Sequence, residues 1–253
     1  MYKIMIRYFY LFILLLNLIL LQSLSAQEEN FKHELIFGGG LHTRGYQVSA
    51  EYLRLKNEYK ALSIRMEFSE ISSPKEKTLN AERLVIGGRN NRTFIYGKQN
   101  NLFALRFGAG QRFYISEKKS RSVVGIAFSY NAGFSLGMLK PYYLDLIYRL
   151  DPEGFRIISE RYTEENKLKF MEPLDISGSS SPTLGWDELS IAPGLYVRGS
   201  LIFDWGPNDS FAKILEVGFV SDAYFRAMPI MVGEVRPPLF LNLFASFYFG
   251  KRW

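Results

Sequence analysis

Cysteine is absent from the 253 residues, and histidine occurs twice. Without cysteine no disulfide staples the fold, no thiolate holds zinc, and no lipid can be attached to a cysteine behind an export signal. His33 and His42 are the whole supply of imidazole bases, which leaves general-base and nucleophilic chemistry little to work with. His33 precedes the first patterned segment, and His42 opens His42-Thr43-Arg44-Gly45, whose spacing resembles no catalytic box. Ser69, on a neighbouring segment, is the hydroxyl that would have to approach it. Gly38-Gly39-Gly40 lies inside an extended segment with no helix behind it, so it builds no phosphate cradle. Past the N-terminus no run of 18 apolar residues occurs, which excludes a further spanning helix. The sequence therefore predicts no catalytic residue, no metal and no cofactor.

What is present begins with Lys3 and Arg7, followed by an almost unbroken apolar run over 8–24 and the small-residue site Leu24-Ser25-Ala26. This reads as a cleaved export signal over residues 1–26, leaving 27–253 as one domain. A permanent anchor is the competing reading, but polar Gln27, Glu28, Glu29 and Asn30 follow where a basic stop-transfer flank would be needed. Over 27–253 there are 29 basic against 25 acidic groups, a net +4 that is too mild and scattered for nucleic acid. Sixteen Tyr and twenty-one Phe make a heavy aromatic load, the kind carried by barrels with rings at both membrane interfaces.

Between turn signals the chain alternates in polarity with period 2 over 34–42, 46–56, 59–70, 102–115, 122–139, 189–205, 211–225 and 239–253. In 122–139 the residues Val124, Ile126, Phe128, Tyr130, Phe134 and Leu136 oppose a file of Gly, Ala, Ser and Asn that only Val123 interrupts. The last segment, LFLNLFASFYFGKRW, sets Leu239, Leu241, Leu243, Phe247 and Phe249 against Asn242, Ser246, Tyr248 and Gly250, with Phe240 and Phe244 as exceptions. It ends on Trp253, an aromatic close typical of the strand that seals an outer-membrane barrel. Lys251 and Arg252 are expected at the interface, where charge is cheap. Pro193 sits awkwardly inside 189–205 and calls for a bulge or a strand start just after it.

Eight segments predict an all-β, antiparallel, up-and-down transmembrane barrel, with a ten-stranded version drawing on residues 94–96 as the alternative. Short links at Asn57, Ser116 and Gly206 then share the periplasmic side, and long links near 71–101, 140–187 and 228–238 share the outer one. A soluble sandwich or lipocalin-like barrel would show the same alternation turned outside in.

An eight-stranded barrel is filled by its own side chains, so no open pore is expected. The predicted inward file carries Glu51, Arg65, Glu67, Arg106, Arg112, Arg198, Asp204, Glu216 and Asp222. In a narrow lumen such groups pair into a plug, because a lone buried charge is costly; a polar or proton track is the functional alternative. Of the long links, 71–101 has six basic and two acidic residues, suited to lipid phosphates, and 140–187 has six basic and nine acidic residues interleaved with aromatics. Such a loop can dock a partner or fold back over the lumen.

Residues 91–144 read NRTFIYGKQNNLFALRFGAGQRFYISEKKSRSVVGIAFSYNAGFSLGMLKPYYL. This stretch resembles an uncharacterised family of Bacteroidota-type outer-membrane β-barrel proteins, and more loosely the PorT-like small barrels, some of which serve secretion or gliding machinery. The resemblance marks Tyr96, Gly97, Lys98, Asn100, Asn101, Lys140 and Pro141. It implies an integral outer-membrane protein of a Gram-negative cell, in contact with lipid and lipopolysaccharide and inserted by the barrel-insertion machinery. A non-enzymatic structural or assembly subunit is the leading expectation, with another outer-membrane protein or lipoprotein as its partner through the loops. A narrow transport or ligand-binding barrel comes second and a lipid-modifying enzyme third.

Overall fold

The computed structural model describes residues 31–57, 59–81, 93–115, 124–149, 154–205, 210–233 and 238–253. The predicted export signal, Val123, the basic 116–121 link and the turn over 206–209 lie outside the described residues. In chain order the strands are β1 (His33–His42), β2 (Gly45–Asn57), β3 (Lys60–Ile71), β4 (Thr78–Asn80), β5 (Thr93–Ile95), β6 (Asn100–Tyr114) and β7 (Val124–Pro141). They continue with β8 (Tyr143–Arg149), β9 (Phe155–Arg161), β10 (Ile176–Ser179), β11 (Ser190–Trp205), β12 (Phe211–Tyr224) and β13 (Leu239–Arg252). A single helical turn, α1 (Lys167–Phe170), separates β9 from β10.

Eight of these strands close a barrel in the order β1-β13-β12-β11-β7-β6-β3-β2. Every junction is antiparallel, and β1 meets β13 through pairs running from Glu34↔Arg252 to His42↔Phe244. The strands of the ten-stranded alternative stay out of the wall: β5 pairs with β4 in a separate sheet. Three residues are too few to cross a wall, and Phe94 is buried in a core outside it.

Pro193 sits in register opposite Leu136 on β7 with no bulge. Its carbonyl accepts from Phe225 N–H at 3.1 Å, so its own nitrogen also points toward β12, whose ladder with β11 begins one residue later at Gly194. The missing donor thus falls where no ladder bond is required.

The two faces of the wall are inverted relative to a soluble barrel. Phe37, Leu41, Val48, Ile64, Phe107, Phe134, Leu195, Phe219, Leu243 and Phe247 stand exposed on the outside, so that every wall strand contributes. Inside, Arg65, Arg106 and Arg112 rank among the largest fully buried side chains of the described residues. Alternation fixes this arrangement, because a one-residue slip in any strand would send its charges outward.

One rim carries the ends of the strands joined by long links, here the loop rim; the other carries His33, Arg252 and the short links, here the terminal rim. The interior is layered between them. Ile36, Leu53, Ala61, Ile202 and Ile214 cluster toward the terminal rim, and Ile71, Leu102, Leu139, Phe240, Met228 and Ile230 cluster under the loop rim. Beyond the loop rim, β10-β8-β9 form a three-stranded sheet. Leu144, Leu146, Phe170, Ile176 and Phe94 give this cap a core of its own.

Candidate functional site

All nine charged residues predicted for the lumen are buried inside the barrel, and two more join them. Asp222 and Glu67 both hold Arg106: its Nε donates to Asp222 Oδ1 at 2.7 Å, its Nη2 to Oδ2 at 2.6 Å, and its Nη1 to Glu67 Oε1. Glu67 Oε2 accepts from Arg198 Nη1 at 2.7 Å, and Arg198 Nε reaches Glu216 Oε1 at 3.2 Å. Glu216 Oε2 takes both Nη1 and Nη2 of Arg65, at 3.1 and 3.0 Å, and Arg65 Nη2 also donates to Glu51 Oε2 at 2.7 Å. Glu51 Oε2 accepts from Arg112 Nη2 at 2.9 Å. Arg112 lies 3.6 Å from Glu34, and Arg252 bridges Glu34 at 3.4 Å and Asp204 at 2.5 Å.

These contacts form one ladder, Asp222-Arg106-Glu67-Arg198-Glu216-Arg65-Glu51-Arg112-Glu34-Arg252-Asp204, in which acid and base alternate from the loop side to the terminal rim. Hydroxyls take up some of the remaining valences: Ser200 donates to Glu216 at 2.6 Å, Ser135 to Asp222 at 2.9 Å, and Tyr248 accepts from Arg65 at 2.9 Å. Six carboxylates thus face five guanidiniums, and every charge has at least one opposite neighbour, which is the condition under which buried ion pairs are tolerated.

The ladder corrects one expectation. Arg252 does not lie in the interface beside Lys251; it is 2% exposed and points inward to Glu34 and Asp204. Its place follows from parity with Tyr248 and Gly250, and Lys251 alone remains outside. Phe240 and Phe244 obey the same parity and are no exceptions. The Phe244 ring lies 3.5 Å from the Arg198 guanidinium, and Phe240 packs edge-on against Tyr224. A cation over a ring gains from the aromatic quadrupole, so Phe244 serves the charged lumen, whereas Phe240 belongs to the apolar cluster under the loop rim.

The seven positions marked by the family resemblance converge at the loop rim, around a segment that the sequence did not single out. Residues 228–232 turn back into the barrel mouth, where Met228 and Ile230 are fully buried. Ile230 carbonyl accepts from Gln99 N–H at 2.7 Å, Val232 N–H donates to Gly97 carbonyl at 2.8 Å, and Asn100 Nδ2 donates to Pro229 carbonyl at 2.7 Å. Gly97 makes its turn at φ +67°, a left-handed conformation that favours glycine, against Met171 and Met231. Tyr96 donates its phenol to Met171 carbonyl at 2.9 Å, and Lys98 pairs with Glu76 at 3.1 Å beneath the cap. Asn100↔Pro141 and Asn101↔Lys140 are the last pairs of the β6–β7 ladder. These residues stitch wall, plug and cap together. β6 and β7 also run past the ends expected of them, so Asn100, Asn101, Lys140 and Pro141 belong to the wall.

The histidines stand apart from one another. His33 stacks on Tyr52 and Trp253 at the terminal rim, with centroids 5.9 and 6.0 Å away. His42 Nδ1 accepts from Arg44 N–H at 3.2 Å, while Ser69 pairs with Gln47 on β2, which lies between it and β1. Among the described residues no hydrogen bond joins Ser69 to His42. In the cap, burial first and then a 2.9 Å hydrogen bond to Glu160 push the Tyr148 phenol up from its ordinary value, and burial does the same to Tyr142.

The geometry defines an inside-out, eight-stranded antiparallel barrel with a charged, filled lumen and a capped mouth. No family model matches the sequence. No curated protein matches it either. Among solved structures, the N-terminal β-barrel domain of Pseudomonas aeruginosa OprF is similar over 87% of this chain and 96% of that one, at 6% identity and a TM-score of 0.35. A likeness of that size carries no argument about what this chain does.

Proposed function

We propose that the chain is an integral outer-membrane barrel that acts without catalysis as a structural or assembly subunit, presenting its cap to another membrane or surface protein. The observation that carries this is the division of labour within the molecule. The outside of all eight wall strands is apolar, as lipid contact requires, and the inside is occupied by a ladder of paired charges. The chemistry left to offer is therefore in the cap.

There the apolar residues Leu168 and Leu174 stand 89% and 72% exposed, the first of them between Lys167 and Lys169. Such side chains are the usual anchors of a protein contact when their neighbours are charged. Affinity purification of the full chain from detergent-extracted outer membranes tests the proposal: specific subunits should accompany the wild type and be lost from Leu168→Asp/Leu174→Asp. Absence of any partner, or a steady ionic current from the purified wild type in planar bilayers, would sink it in favour of transport.

A further inference from the structure

Lys140 is the anomaly of the outer wall. It follows the alternation of Phe134 and Leu136, which face outward, yet it is only 6% exposed. Its ammonium lies 5.4 Å from the centroid of the Trp186 ring, and no hydrogen bond or ion pair to it is found among the described residues. Glu188, close by in sequence to Trp186, is already engaged by Arg161 at 2.5 Å and by Tyr143 at 2.8 Å. The stem of Lys140 is buried while its ammonium reaches the surface beside the indole, and an aromatic face satisfies a cation less fully than an anion would.

The surroundings are built to keep the lysine there. Gly185, at φ +82°, lets the chain lie against Pro141 carbonyl and the Tyr143 ring, where an added Cβ would meet them at 3.1 and 3.2 Å. That close approach lays Trp186 over Lys140, and the indole N–H is held by Pro182 carbonyl at 3.2 Å. Trp186 then stacks on Phe103 at 5.8 Å and Phe103 on Phe68 at 5.7 Å, a run of rings down the outer wall below the loop rim. An apolar, ring-faced wall topped by one uncompensated cation has the polarity profile of a lipid molecule, acyl chain below and anionic group above.

We propose that Lys140 and Trp186 form a binding site for the phosphate of an outer-leaflet lipid, with Phe103 and Phe68 against its acyl chain. This rests on the membrane reading above. The full-length protein, reconstituted in phosphatidylcholine vesicles, is probed with spin-labelled phosphatidylglycerol and spin-labelled phosphatidylcholine, and the motionally restricted lipid is measured by electron paramagnetic resonance. Wild type should prefer the anionic lipid, and Lys140→Met should lower that preference by about fivefold, the worth of one surface cation. Lys140→Arg should retain it. Because Lys140→Met keeps the stem and removes only an unpaired charge, its fold should stand. Equal preference in wild type and Lys140→Met overturns the site, and reversal by millimolar inorganic phosphate assigns the cation to a free anion and overturns the lipid. A chain that restricts neither lipid would instead remove the membrane reading, and this site with it.

Discussion

Arg106 clasps Asp222 through two parallel hydrogen bonds of 2.7 and 2.6 Å, between side chains that are both 0% exposed. The pair sits on β6 and β12, so it crosses the lumen and holds opposite walls at a fixed separation. Replacing Arg106 by Leu strands Asp222 without its cation and leaves Glu67 with Arg198 alone. The expected loss is about 3–5 kcal/mol, the usual cost of removing one partner of a buried pair. Arg106→Leu/Asp222→Leu should recover much of it. Urea unfolding in detergent, followed by tryptophan fluorescence, checks both.

Plug and ladder seal the barrel in series. Removing the buried face of the plug, as in Met228→Ser/Ile230→Ser, should therefore leave planar bilayers electrically silent, because the ladder beneath it still fills the bore. The same double substitution with Arg106→Leu should give intermittent current. A steady current from the plug variant alone would mean that the ladder does not close the lumen.

Phe247 is 57% exposed on β13, among the apolar residues of the outer face. An arginine there should cost about 2–4 kcal/mol if that face meets the bilayer midplane. Tyr248, one residue on, is 1% exposed and touches Arg65, so Tyr248→Phe should alter the lumen without changing insertion. The fraction of chain folded into vesicles, read by protection from protease, separates the two. Equal insertion of Phe247→Arg and wild type would contradict lipid contact.

Cap stability should follow the phenols of Tyr142 and Tyr148. Both are raised above 10.0, so the neutral phenol is the form favoured by the fold. Their contribution is complete below the ordinary value and is lost as pH climbs through the raised ones. The cap should thus hold from neutral pH to about pH 10 and loosen only beyond it. Limited proteolysis of the cap across an alkaline series, with Tyr148→Phe lacking part of the transition, measures this.

Much of the wall was legible because period 2 is a strong signal where each face meets a different solvent. Each wall strand lies within two residues of its predicted bounds, and Glu51, Arg65, Glu67 and Arg112 point where the pattern placed them. Arg252 was misjudged because two basic residues at a strand end resemble an interfacial pair; parity with Tyr248 was the better guide. Glu34 was missed for want of a face assignment in the short first strand. The plug over 228–232 was not legible, since proline and methionine there follow no period and its partners are the backbone N–H groups of Gln99 and Asn100 and the Gly97 carbonyl, far away in sequence. The cap's strands were hidden in the same way, because an apolar residue every second position over seven residues, as in β8, does not stand out within a charged loop.

The ladder draws its members from β1, β2, β3, β6, β11, β12 and β13, and most of its links join strands that are not neighbours in the chain. A partly assembled sheet would hold guanidiniums and carboxylates with no counterpart, all on one face. Such an intermediate is poorly soluble in hydrocarbon, whereas the finished cylinder hides every one of those charges. On the membrane reading, entry into the bilayer and the final seam between β1 and β13 should then be a single cooperative event, in which every charge meets its opposite at the moment the ring closes.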